Sequence, residues 1–178
     1  MTPEQARQDG GDGLGAWLSL LQAQSVVVDS LERDLAADRR IPLPWLEVLM
    51  QVTSAFEGRM KMQELAHSVL LSKSGVTRLV DRMVEAGLME RQACATDRRS
   101  VYAVATDAGR KALRESLPVH GRSLARHFTE VLTPAELAML RSTLQKVLDA
   151  GGFTPTPCPS GLVEEEPKSR GRRATAKR

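Results

Sequence analysis

Cysteine is scarce: the 178 residues hold two, Cys94 and Cys158, without the paired C-x-x-C spacing. That excludes a disulfide framework and a zinc or redox site of the paired-cysteine kind. Histidine is nearly as sparse, and His67, His120 and His127 show no i, i+4 pairing and no neighbouring cysteine, so no metal site is expected. No apolar run approaches the roughly 20 residues of a membrane span. Residues Met1 to Gly13 carry Glu4, Asp9 and Asp12 against Arg7 alone, which is not a secretory leader, and the expected location is the cytoplasm. A nucleophile elbow, a Walker loop and a dinucleotide fingerprint are all missing. The expectation is therefore a protein that is not an enzyme and needs no cofactor.

What is present suits one ordinary globular domain with a tail: 42% hydrophobic and 26% charged residues. The formal charge is +3, and its distribution matters more than its size. Residues 152–178 hold six basic residues (Lys168, Arg170, Arg172, Arg173, Lys177 and Arg178) against Glu164, Glu165 and Glu166, which accounts for the whole surplus. The body is neutral. Within it, residues 1–47 count four basic against eight acidic, residues 48–99 eight against six, and residues 100–151 seven against five.

Hydrophobic periodicity divides the chain. After a Gly/Asp-rich leader over 1–13, Trp17, Leu20, Leu21, Val27, Val28, Leu31 and Leu35 predict a long amphipathic helix over 15–38. Pro42 and Pro44 restart the chain, Trp45, Leu46, Leu49, Met50 and Val52 predict a second helix, and Gly58 ends it. A short helix over 62–69 follows. Ser72 then offers an N-cap and Gly87 a stop for a helix over 72–86. From Leu88 to Thr106 two extended runs flank the polar turn Thr96-Asp97-Arg98-Arg99-Ser100, predicting a hairpin. Asp107 can cap the next helix, which carries Ala112, Leu113 and Leu117 and meets Pro118, and Thr133-Pro134-x-Glu136 is a capping-box start for the last one. Gly151-Gly152 closes that helix, and the proline-rich, charged remainder is expected to be disordered.

The helix over 72–86 is where chemistry can live. Val76, Leu79, Val80, Met83 and Val84 form an apolar stripe, leaving Lys73, Ser74, Thr77, Arg78, Asp81 and Arg82 on the other side. Small hydroxyl residues permit close approach to base edges, and arginines read guanine or grip phosphate, so such a face suits a major groove. Alone, it equally describes a solvated surface. The preceding short helix and turn, however, have helix-turn-helix spacing, and the hairpin tip holds paired arginines suited to a narrow minor groove. Together they predict a winged helix.

The run Leu71-Ser72-Lys73-Ser74-Gly75-Val76-Thr77-Arg78-Leu79-Val80-Asp81-Arg82-Met83, with Gly87-Leu88-Met89-Glu90-Arg91, Asp97-Arg98-Arg99 and Val104-Ala105-Thr106-Asp107-Ala108-Gly109, resembles the MarR family of transcription regulators over roughly residues 14–151. The resemblance implies a mainly α, α+β fold: a winged helix at about 45–106 inserted between dimerisation helices at about 14–40 and 107–151. It implies a homodimeric, ligand-responsive repressor on a pseudo-palindromic operator. Ser72, Lys73, Ser74, Thr77, Arg78 and Arg82 would face the major groove or its phosphates, Arg99 the minor groove with Arg98 beside it, Asp97 would brace the wing, and Arg91 would steady the wing or the backbone contact. Ala105 departs from the leucine usual in the family. Relatives often respond to a small aromatic acid or phenolic effector, and Trp17, Trp45, Met50 and Phe56 are the candidate lining, though such side chains on apolar faces are more often plain core. Cys94, in the wing strand, reads as an inert thiol before it reads as a redox switch.

Two helical arms at the chain ends carry more apolar face than a small winged helix could cover, which fits a dimer. The alternative is a helical protein-interaction module without DNA binding, whose basic tail meets anionic surfaces and whose wing is merely structural.

Overall fold

The computed structural model describes residues 3–69, 73–93 and 100–152, with only the backbone given for residues 3–11 and Lys73. Helix α1 (Pro3–Ala37) begins earlier than periodicity alone indicates, taking in the glycine-rich stretch expected as a leader. Pro3 is pre-shaped for a first helical turn, Glu4 favours the positive end of the helix dipole, and extension from a formed helix is cheap compared with nucleation. Of its apolar stripe only Leu31 and Leu35 are buried.

Helix α2 (Leu43–Ser54) starts at the proline pair and contributes Leu43, Leu46, Val48, Leu49 and Val52 to the core. It stops before Gly58: Ala55 turns extended, and a 3-10 turn over Phe56–Gly58 follows in which both Glu57 (φ 58°) and Gly58 (φ 64°) are left-handed. That reversal launches β1 (Arg59–Lys61), which the sequence reading lacked because three residues cannot display a period of two. Helix α3 (Met62–Ser68) and helix α4 (Lys73–Glu85) come next, then β2 (Met89–Ala93) and β3 (Val101–Ala105). The sheet is antiparallel in the order β1-β3-β2, with Arg59 opposite Val104 and Met89 opposite Ala105.

Helix α5 (Asp107–Leu124) is capped by Thr106, not by Asp107: the Thr106 hydroxyl accepts from the Gly109 amide at 3.0 Å, and Asp107 sits in the first turn. The helix runs through Pro118 into a π-helical turn over Ala125–Thr129. Helix α6 (Pro134–Ala150) opens with the full capping box, Thr133 and Glu136 each bonding the other's backbone amide. None of its residues is fully buried.

One core joins these pieces. Leu65, Ala66, Val76, Leu79, Val80 and Met83 from α3 and α4 meet Met89, Ala103 and Ala105 of the sheet, the inner face of α2, and Leu113 and Val119 of α5. Ala105 fits this layer as an alanine, 2% exposed. Val84 does not join the stripe and stands 36% exposed. It lies four residues beyond Val80 but one past Met83, which already occupies the inward position.

Candidate nucleic-acid interface

The inward stripe Val76, Leu79, Val80 and Met83 fixes which way α4 faces. By helical geometry Ser74, Thr77, Arg78, Asp81 and Arg82 then share the opposite side, and all five are exposed. Arg78 and Arg82, one turn apart, form no ion pair among the described residues, so both guanidinium groups remain available. The helix ends in a Schellman motif: Gly87 (φ 72°) donates to the Val84 carbonyl at 2.9 Å, and Leu88 to the Met83 carbonyl at 2.9 Å.

Arg91 of β2 points back onto this helix. Its Nη2 lies 2.7 Å from Asp81 Oδ1 and 3.4 Å from the Thr77 carbonyl oxygen. A half-exposed pair of this kind contributes only about 0–1 kcal/mol, so its value is positional: it braces the wing strand against α4. It also neutralises Asp81, whose carboxylate would otherwise repel an approaching phosphate. Asp81 stands on the outer face in the sequence, but its partner ten residues away becomes visible only once β2 is laid beside α4. On the other side of the sheet, Arg59 of β1 stacks over the Tyr102 ring at 4.9 Å and pairs with Glu57. Lys61, Gln63, Glu64, Thr77, Arg91 and Ser100 line an open cleft of about 490 Å³ between α3, α4 and the sheet.

Ser72, Asp97, Arg98, Arg99 and Cys94 lie outside the described residues, as does the side chain of Lys73. Ser74, Thr77, Arg78, Arg82 and Arg91 are brought to one side of the domain by α4 and β2. Trp45 and Met50 pack against the core, whereas Trp17 and Phe56 stand 55% and 87% exposed. No group of His, Cys, Asp or Glu that could hold a metal occurs among the described residues, and no helix among them is long and apolar enough to cross a membrane.

This architecture has counterparts. The family model described as "MarR family" matches residues 53–101, from the end of α2 to the first residue of β3. The crystal structure of AbsC, a MarR family transcriptional regulator from Streptomyces coelicolor, is 30% identical with a TM-score of 0.73, covering 78% of this chain and 93% of AbsC. The chain belongs to the MarR family. Sco3205, another MarR family regulator from Streptomyces coelicolor, has been solved in complex with DNA; it is 26% identical with a TM-score of 0.73, over 84% of this chain and 92% of Sco3205. YkoM of Bacillus subtilis, an uncharacterized HTH-type transcriptional regulator, is 35% identical over 89 residues, or 50% of this chain. The match spans 57% of YkoM, so little more than half of that relative is represented. The MarR match over 53–101 takes in β1, α3, α4 and β2, the part of the molecule that carries the exposed basic face.

Proposed function

We propose that the chain is a DNA-binding transcriptional regulator, a ligand-responsive repressor that grips a pseudo-palindromic operator as a homodimer. The observation that carries this reading is the exposed face of α4, where Ser74, Thr77, Arg78 and Arg82 stand opposite a fully buried apolar stripe and are braced to the wing through Asp81 and Arg91. A helix so oriented can enter a major groove with its first turns against the bases and its arginines on base edges or phosphate. In this reading Ser72 and Lys73 extend that face, Arg99 enters the minor groove with Arg98 beside it, and Asp97 braces the wing.

The homodimer is supported by α1 and α6. Leu14, Trp17, Leu21 and Val26 on the first, and Met139 and Val147 on the second, expose apolar surface at opposite ends of the chain. The effector component rests on the family resemblance and is read by titrating the fluorescence of Trp17 and Trp45 with a panel of aromatic acids.

The deciding experiment is footprinting on DNA upstream of the chain's own gene at two salt concentrations. The expected result is two protected half-sites about 34 Å apart, with affinity falling steeply as salt rises. Equal affinity for that DNA and for random sequence would reject the reading.

A further inference from the structure

The hydroxyl of Thr106 bridges the end of α4 and the start of α5. Thr106 Oγ1 donates to the Gly87 carbonyl oxygen at 2.7 Å and accepts from the Gly109 amide at 3.0 Å. Its own amide donates to the Leu88 carbonyl oxygen at 3.1 Å. Gly87 and Leu88 are the residues that close the Schellman motif of α4, and Gly109 lies in the first turn of α5. There is no slack between them: a Cβ added to Gly109 would fall 2.1 Å from the Leu88 carbonyl oxygen. Further along, α5 is tied to α1 by the Ser123 hydroxyl donating to Asp34 Oδ2 at 2.7 Å. A chain of directional contacts therefore runs from the end of α4, through Thr106, to the long arms.

Capping α5 needs only an acceptor, which Asp or Asn supplies as well as Thr. The bond to Gly87 needs a donor on the same atom, and its partner is the first backbone carbonyl beyond Ala86, at the end of the α4 helix. We propose that Thr106 is a positioning residue that sets the angle at which α4 leaves α5, and thereby the distance between the two reading helices of a dimer. This rests on the DNA-binding reading above. The apolar stripe of α4 determines which face points outward, but apolar contacts are non-directional, and the half-exposed Arg91–Asp81 pair adds only about 0–1 kcal/mol, so together they tolerate a swing. The residues expected to reach base edges lie at the opposite end of α4 from Gly87. With 13 residues the helix is about 20 Å long, so a swing of about 5° at the junction moves that end by roughly 2 Å, against a base-pair rise of about 3.4 Å.

Thr106→Ser keeps donor and acceptor; Thr106→Asp keeps the cap and loses the donor. Both should remain folded dimers with α5 protected from amide exchange. In the free protein, exchange across residues 83–88 should rise about tenfold in T106D and stay native in T106S. On a two-half-site DNA obtained by in vitro selection, wild type and T106S should lose affinity when one base pair is inserted between half-sites, and T106D should lose much less. Native exchange over 83–88 in a folded T106D overturns the proposal, and so does an undiminished insertion penalty. Should the wild type prefer no sequence at all, the DNA-binding reading fails instead, and the exchange comparison alone decides whether Thr106 pins α4.

Discussion

At the scale of the residue, three positions carry testable consequences. Gly109 touches the Leu88 carbonyl and the Leu49 side chain so closely that any Cβ clashes with backbone. Gly109→Ala should therefore cost about 2 kcal/mol or more, read as a lower urea midpoint at unchanged slope. An unchanged midpoint would mean that the junction opens freely. His120 is 8% exposed with its Nδ1 unpartnered among the described residues, and burial holds the imidazole below its ordinary pKa. The unfolded chain then binds more protons than the folded one as pH falls below about 6.5, so this residue's share of stability is full above that pH and is lost on acidification. Replacing it by leucine should flatten the stability profile between about pH 7 and pH 5. Asp34 acts in a different window: the Ser123 hydroxyl, chiefly, holds its carboxylate below the ordinary value of 3.8, and its contribution disappears only in stronger acid.

At the scale of the element, α4 and β2 form one unit through Arg91. The Asp81 pair is half exposed, so Arg91→Met should change global stability by less than about 1 kcal/mol. If α4 enters the groove as proposed, DNA affinity should fall much further, because β2 loses its brace and an unpaired Asp81 carboxylate would meet phosphate. Adding Asp81→Asn should recover part of that loss, and a double-mutant cycle with no coupling in binding would remove the pair from the interface. Elements also differ in how plainly the sequence announces them. The capping box of α6 and the glycine stop of α4 are local chemistry and were readable as such. Thr106 and Asp107 are both competent caps, and the choice between them depends on where Leu88 and Gly87 lie in space. The three-residue β1 has no pattern of its own and exists because Val101–Ala105 offers it an edge.

For the whole molecule, a 17-residue helix with no fully buried residue has little reason to persist in water. Met139 is 70% and Trp17 55% exposed, apolar surface that the proposed dimer would cover. Sedimentation should find a dimer, and Met139→Glu should shift it toward monomer with loss of α6 helicity. A monomeric wild type would contradict the dimeric reading. The +3 charge belongs to the same scale, since the surplus resides entirely in residues 152–178. Deleting residues 153–178 should flatten the salt dependence of DNA binding and weaken binding to random sequence, while operator preference survives. Loss of that preference would make the tail a reader.

Hydrophobic periodicity, the proline and glycine stops and the capping box determined by themselves that this chain is mainly helical with a hairpin. The outer face of α4 was equally legible, because side-chain direction in a helix follows from residue spacing. Tertiary structure alone decided that Arg91 turns back to Asp81, that β1 exists, that Val84 lies outside the stripe, and that Thr106 bridges α4 and α5. Each of these is a contact between residues distant in sequence or a competition for one inward position, and local pattern carries no information about either.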